Sequence, residues 1–338
     1  MTIDEAQTRF ESTAGESGDD VNDEALRLQV VEAVDVSDCV RGFRLAAEDG
    51  TALPAWEPGS HLDLVLPSGL IRQYSLCGDP ADGSAYEIAV LREPESRGGS
   101  IELHSSVQVG DVLVARDQRN HFELRPAPSY LFVAGGVGIT PILPMIRAAA
   151  EQGATWRLVY GGRSRSSMAF VERATGFGAD SVDIVAHDER GLPDLAAEVA
   201  ATNPDALIYA CGPEGLLRAL ADVCTEAGRS SSLHFERFGA SSEPAEAGDN
   251  TSFEVVLERT GTTVHVTEDV TILEAVRAVL PDAPASCEEG FCGTCETRVL
   301  GGVPEHRDSV LSDEEREANE TMMICVGRSC TPRLILDL

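Results

Sequence analysis

The chain has no lysine; apart from histidine, every basic side chain is an arginine. Chemistry that needs a side-chain amine, such as a Schiff base or the lysine of a P-loop, is therefore excluded. Long apolar runs are also missing, and none approaches the roughly 20 residues needed to span a bilayer. Residues 1–24 carry eight acids and one arginine, with no basic start and no apolar stretch. They are not a signal peptide and are expected to form a disordered acidic tail. Positive charge is scarce overall, and the formal net charge is −31. Such a chain will not bind nucleic acid or an anionic membrane non-specifically. It suits either steering towards a basic protein partner or solubility alone. No paired-carboxylate hydrolase site and no Ser-His-Asp arrangement is visible. At 338 residues, 43% of them hydrophobic, the chain is long enough for two or three globular domains.

What the chain does have is a cysteine pattern. Cys287, Cys292 and Cys295 read C-x4-C-x2-C, and Cys325 follows about thirty residues later, the plant-type spacing for a [2Fe-2S] cluster. A tight loop supplies three thiolates and a returning segment the fourth. Gly290 and Gly293 allow the loop to turn around the cluster. A zinc site usually shows two short cysteine pairs, and Cys325 has only Cys330, five residues on, a poor fit for that role. The remaining cysteines, Cys39, Cys77, Cys211, Cys224 and Cys330, show no disulfide framework, so a cytoplasmic location is expected.

Ahead of the cysteines the patterning changes twice. From Leu26 to Ala115 there are short alternating runs with turn signals, among them His61–Leu66, Leu70–Leu76 and Tyr86–Leu91, which predict a small antiparallel barrel. One run contains Arg72, Tyr74 and Ser75, with Arg72 and Tyr74 on one face and Ser75 on the other. Arg97-Gly98-Gly99-Ser100 precedes a short helix over 101–106, where backbone N–H groups make an anion site. Then Tyr130–Ala134 leads into Gly135-Gly136-Val137-Gly138-Ile139-Thr140-Pro141, with Thr140 as N-cap and Pro141 as first helical residue. Apolar runs at 156–160, 182–186 and 207–210, with helices over 168–174 and 192–201, predict a parallel sheet covered on both faces. Cys211-Gly212-Pro213 ends the last of these strands, where such sheets bind ligands. The stretch 240–250 reads as a linker. From Phe253 a hairpin, a capping box at Thr271 and Glu274, and a helical stripe of Ile272, Val276, Val279 and Leu280 lead into the cysteine loop. Leu334, Leu336 and Leu338 mark a closing strand.

In this order the cysteine loop, Arg72-x-Tyr74-Ser75, the glycine loop and Cys211-Gly212-Pro213 resemble the phthalate dioxygenase reductase family. The resemblance runs from about residue 25 to the C-terminus. It implies a multi-domain α/β plus β protein: an FMN-binding antiparallel β-barrel (25–125), a nicotinamide-nucleotide α/β domain (126–239), and a plant-type ferredoxin domain, β-grasp-like (251–338). Arg72, Tyr74, Ser75, Ala89, Val90, Leu91, Arg97, Gly98, Gly99 and Ser100 would then hold FMN. Gly135, Gly136, Gly138, Thr140, Pro141, Arg163, Gly212 and Pro213 would hold the dinucleotide. Cys211 and Phe238 would flank the path of the hydride, with Phe238 also against the flavin. Cys287, Cys292, Cys295 and Cys325 would ligate the cluster.

Nicotinamide releases two electrons together and a [2Fe-2S] cluster takes one at a time, so a flavin between them is required. The expected route is NADH to FMN to [2Fe-2S] to the oxygenase component of a Rieske-type system, in a monomer that binds no nucleic acid. A reductase for another ferredoxin or acceptor, a redox sensor that does not turn over, and a flavoprotein with a zinc-bound tail are the alternatives. Between NADH and NADPH the residues are divided. Gly161-Gly-Arg163-Ser-Arg165-Ser-Ser167 has two arginines and no acid, which leans towards a 2′-phosphate. The family resembled mostly uses NADH, and Glu172 is available to accept from a ribose hydroxyl, so NADH is expected.

Overall fold

Alternation of apolar and polar residues over 26–120 builds the first sheet. In the computed structural model, which describes residues 25–93, 98–238, 250–281, 283–285, 288, 290, 293–308, 310–311 and 313–338, its strands are β1 (Leu26–Asp35), β2 (Val40–Ala47), β3 (Ser60–Val65), β4 (Ile71–Ser75), β5 (Tyr86–Leu91) and β6 (Val112–Asn120). All pairings are antiparallel, in the order β4-β3-β6-β1-β2-β5. The end strands β4 and β5 approach one another, so the sheet curls into a nearly closed barrel with one seam. Leu28, Val30, Phe43, Leu45, Leu62, Leu64 and Ile88 fill the interior, the inward half of each strand's alternation. Helix α1 (Gly99–Ser105) lies against β5.

The second sheet is parallel, in the order β11-β10-β7-β8-β9: β7 (Ser129–Gly135), β8 (Thr155–Gly162), β9 (Val182–Ala186), β10 (Leu207–Cys211) and β11 (Leu233–Glu236). Its central strands β7 and β10 are buried on both sides, as crossover helices require, while the edge strand β11 is partly exposed. On β7, Tyr130, Phe132 and Ala134 join α2 (Ile139–Glu151) in one cluster, which also takes in residues at the start of α3 (Val171–Gly176). Leu131 and Val133 join α5 (Leu195–Ala201) and α6 (Glu214–Glu226) on the other face. The one-turn helix α4 (His187–Arg190) follows β9.

The third sheet is mixed, in the order β13-β12-β18-β14-β16: β12 (Phe253–Leu257), β13 (Thr262–Val266), β14 (Glu296–Gly301), β16 (Thr321–Met323) and β18 (Arg333–Leu336). Beside it are the pair β15 (Pro304–Glu305) and β17 (Arg328–Ser329), helix α7 (Ile272–Arg277) and helix α8 (Asp313–Ala318). The parallel β12–β18 pairing within an otherwise antiparallel sheet packed by a helix is the expected β-grasp-like arrangement.

Local expectations hold with four corrections. Thr140 is not an N-cap, and Pro141 is the third residue of α2, not the first. A 3-10 turn over Gly136–Gly138 runs straight into α2, and the Thr140 hydroxyl donates to the Val137 carbonyl at 2.9 Å. Pro141, with no N–H, cannot serve that carbonyl, so the threonine serves it instead. Helix α3 starts at Val171, three residues late, because Phe170 is in the left-handed region (φ 59°). Helix α5 starts at Leu195, where the Asp194 carboxylate accepts from the Ala197 N–H at 3.0 Å. The capping box of Thr271 and Glu274 forms, but α7 ends at Arg277, so Ile272 and Val276 are buried while Val279 is exposed. The tail over 1–24 and almost all of the linker lie outside the described residues.

Candidate electron-transfer site

The barrel seam gathers the first set of site residues. Arg72 and Tyr74 lie on β4, Ala89, Val90 and Leu91 on β5, and Gly98, Gly99 and Ser100 at the start of α1. A Cβ on Gly99 would sit 2.7 Å from Cγ of Arg72, so the glycine turn and the arginine stem are in direct contact. Gly98 has φ 102°, which disfavours any side chain. The Ser100 hydroxyl accepts from the Glu93 N–H at 3.2 Å, tying the turn to the end of β5. Burial pushes the Tyr74 phenol up, and the Arg72 charge partly opposes this. These positions fit a flavin along the seam, phosphate towards Arg72 and the glycine turn. Arg97 lies outside the described residues.

Ser75 faces away from Arg72 and Tyr74, towards the parallel sheet. Its hydroxyl lies 3.4 Å from the carboxylate of Glu236, at the end of β11. Burial raises Glu236 to about 8, with the Ser75 hydroxyl acting the other way. Next to β11, Cys211 ends β10 and is fully buried; burial and the nearby Glu236 push its thiol up. Here the glycines have a packing reason. A Cβ on Gly138 would lie 2.2 Å from the Cys211 carbonyl oxygen, and one on Gly212 would lie 2.9 Å from Cα of Gly135. The two loops at the carboxyl ends of β7 and β10 therefore meet backbone to backbone. Gly136 differs: its φ is 54° and nothing lies within 4 Å of where a Cβ would be. It is a position of this loop with open space beside it. Pro213 immediately precedes α6, and Phe238 is 40% exposed just beyond β11. Val40, Cys77 and Ala89 from the barrel pack in one cluster with Ala134, Ile139 and Cys211, so seam and glycine loop share a core. The Arg173 guanidinium, on α3, donates to Glu87 at 2.7 Å and to the Cys77 carbonyl at 3.3 Å across the same junction.

At the third turn, Arg165 is paired with Glu189 of α4 at 3.1 Å, and the Asp188 N–H donates to the Arg163 carbonyl. The acids missing from the turn itself arrive from the end of the neighbouring strand β9. Glu172 is exposed in the first turn of α3.

In the mixed sheet, Cys295 immediately precedes β14 and Cys325 follows β16, and the antiparallel register pairs Glu296 with Met323. Both buried thiols are therefore at one end of the pair. A Cβ on Gly290 would be 2.5 Å from the Val326 side chain, so the loop is laid against the segment that carries Cys325. This arrangement fits a cluster held by both segments. Cys287 and Cys292 lie outside the described residues. Cys330 is exposed, with its thiol 3.8 Å from the Pro304 carbonyl.

Several residues at these junctions escaped the sequence reading. Glu236 stands two positions from Phe238. Gln73 sits between Arg72 and Tyr74. Asp63 and His61 are polar residues on the outward half of β3, yet only 3% and 5% exposed. That burial was readable only once something was known to cover the strand.

Nucleotide loop, flavin seam and cysteine loop together define an NADH-dependent oxidoreductase that passes electrons to a [2Fe-2S] cluster. Residues 132–222 match the oxidoreductase NAD-binding domain, and residues 255–330 the 2Fe-2S iron-sulfur cluster binding domain. The chain is 45% identical to the phenoxybenzoate dioxygenase subunit beta of Ectopseudomonas oleovorans over 299 residues, covering 88% of this chain and 91% of that one. A phthalate dioxygenase reductase structure, described as modular for electron transfer from pyridine nucleotides to [2Fe-2S], superposes with TM-score 0.71 and 35% identity over 94% of this chain and 98% of its own. An intact type IV self-sufficient cytochrome P450 monooxygenase matches with TM-score 0.84 and 41% identity; 93% of this chain spans 41% of that longer one. The chain belongs to the phthalate dioxygenase reductase-like family, whose cofactors are FMN, a [2Fe-2S] cluster and NADH.

Proposed function

We propose that this protein is the reductase component of a Rieske-type oxygenase system, acting as a cytoplasmic monomer. Strand β4 carries the proposal. Arg72 and Tyr74 line the flavin seam, Ser75 meets the nicotinamide side at Glu236, and Gln73 meets the cysteine loop at Thr294, 3.1 Å away. Four consecutive residues thus reach all three redox regions. The bound groups supply hydride transfer, its division into single electrons, and export of those electrons. The chain's own residues bind and orient. Arg72 and the Gly98-Gly99 turn offset the flavin phosphate, and Tyr74 packs against its ring. Gly136, Arg163 and Pro213 border the dinucleotide. Cys211, Ser75 and Glu236 enclose the transfer position, and Phe238 flanks it. Cys287, Cys292, Cys295 and Cys325 hold the iron. Glu189 and Asp188 beside the Arg163 turn favour a 2′-hydroxyl over a 2′-phosphate. No helix among the described residues is long and apolar enough to cross a membrane. The proposed domain limits are those expected from sequence, 25–125, 126–239 and 251–338. The family likeness also covers oxygenase reductases of different kinds. The match to 41% of the chain of a self-sufficient cytochrome P450 monooxygenase supports a second reading, in which the acceptor is a P450.

The test is to release the flavin by heat, identify it, and assay NADH oxidation with two purified acceptors. FMN, with turnover of a Rieske oxygenase, supports the first reading. Turnover only with a P450 supports the second. FAD, or at least tenfold higher kcat/KM for NADPH, overturns the cofactor assignment.

A further inference from the structure

The polar contact between barrel and cysteine loop is built from four side chains. Asp63 on β3, Gln73 on β4 and Arg119 on β6 are neighbours across three adjacent strands; Asp63 and Gln73 are direct cross-strand partners. The Gln73 amide nitrogen donates to Asp63 Oδ1 at 2.8 Å and to the Thr294 hydroxyl at 3.1 Å, using both of its N–H groups. The Arg119 guanidinium pairs with Asp63 at 3.3 Å and donates to the same hydroxyl at 2.9 Å. The Thr294 oxygen therefore accepts two hydrogen bonds, one of them charge-assisted, its full acceptor capacity. The Asp63 carboxylate, nearly fully buried, holds both donors in place. Thr294 is itself the residue before Cys295, in the turn of the cysteine loop that Gly293 opens, and His121 lies 3.6 Å from where a Gly293 Cβ would be.

We propose that Thr294 is a positioning residue, and that Asp63, Gln73 and Arg119 form a clasp fixing the cysteine loop to the strand that lines the flavin seam. The inference rests on the reading that this loop carries the cluster. Because side chains alternate along β4, Gln73 and the pair Arg72 and Tyr74 are on opposite faces, one residue apart. The clasp sets the distance between the two redox regions through the thickness of a single strand. Thr294 needs its hydroxyl, not its size. A valine of the same shape removes the acceptor and takes one hydrogen bond from each of two half-buried donors, which keep their bonds to Asp63; a serine keeps the acceptor.

The experiment compares Thr294→Val and Thr294→Ser in the full chain by three measurements. These are hydrogen exchange of the 293–297 amides in iron-free and loaded protein, iron content, and the single-turnover rate of electron passage from flavin to cluster. Thr294→Val is expected to speed amide exchange at least tenfold in both forms and to slow transfer about tenfold at unchanged iron content, with Thr294→Ser near wild type. Unchanged exchange and transfer in Thr294→Val, or a serine variant as impaired as the valine, overturns the clasp. Where Thr294→Val loses iron, Gln73→Leu repeats the comparison from the barrel side; unchanged exchange over 293–297 there also overturns it. Failure of the cluster reading has a separate sign: Cys325→Ser would then retain its iron.

Discussion

The barrel meets its two neighbours in different ways. Against the parallel sheet the junction is largely apolar: Val40, Cys77 and Ala89 merge into the core around Ala134 and Cys211, and polar bridges border it. Against the cysteine loop, among the described residues, two hydrogen bonds from Gln73 and Arg119 cross to Thr294, with the Asp63–Arg119 ion pair behind them on the barrel side and His61 and His121 beside them, ring centroids 5.7 Å apart. The difference follows the particle transferred. A hydride moves only between atoms in near contact, so donor and acceptor regions must share a rigid, water-free core. An electron tolerates a gap, so that junction can rely on a few directional bonds.

The comparison breaks most completely at the cysteines. Cys325→Ser is expected to abolish iron–sulfur absorption while NADH still reduces the flavin at close to the wild-type rate; equal loss of both would show that the junctions are not independent. Gly138→Ala attacks the other side. Its methyl would meet the Cys211 carbonyl at 2.2 Å, which the backbone cannot absorb without separating the two loops. Flavin reduction by NADH should fall roughly 100-fold, about 2.7 kcal/mol in the barrier, with iron content preserved. Stopped-flow at saturating NADH measures this. Arg72→Ala should weaken flavin retention about tenfold, near 1.4 kcal/mol, read by equilibrium dialysis; undiminished occupancy would move the phosphate elsewhere.

Proton linkage sharpens the contrast more gently. Glu236, raised to about 8, holds a proton in the folded chain that the unfolded chain releases near 4.5. Its contribution to stability is complete below about 4.5 and is lost as pH rises through about 8. Glu236→Gln should flatten the fall of Tm across that window. His61, lowered to about 4 chiefly by burial, has the opposite sign. Its contribution is present above 6.5 and lost as pH falls through about 4, so His61→Gln should reduce the acid sensitivity of the flavin–cluster junction, read by exchange of the 293–297 amides. The smallest effect is expected at Cys330, which is exposed and hydrogen-bonded only weakly; Cys330→Ser should leave iron content unchanged.

The sequence displayed what depends on period and spacing. Five of the six barrel strands, the approach of Cys295 to Cys325 and the strand leading into the glycine loop were legible because alternation, cysteine spacing and a strand-to-glycine boundary are local. What escaped is non-local. Val112–Ala115 is only the first half of β6; the second half, ending at Asn120, is polar and reads as loop until Arg119 finds Asp63 and Thr294. Glu189 was invisible as a neighbour of Arg165 because 24 residues separate them in the chain. Gly135, Gly138 and Gly212 read as ligand contacts, whereas much of their smallness serves loop-to-loop approach.

The alternation along β4 imposes a parity rule on how this chain can vary. Inserting or deleting one residue within Ile71–Ser75 would exchange its two faces, turning Arg72 and Tyr74 towards the cysteine loop and Gln73 towards the seam. A two-residue change preserves the faces but slides each group about 6.6 Å along the strand, beyond the reach of its partner. Length variation can therefore accumulate in the Pro67–Gly69 turn or before Tyr86. Between Ile71 and Ser75 the residue count itself is fixed by the fold, even at positions whose chemistry tolerates substitution.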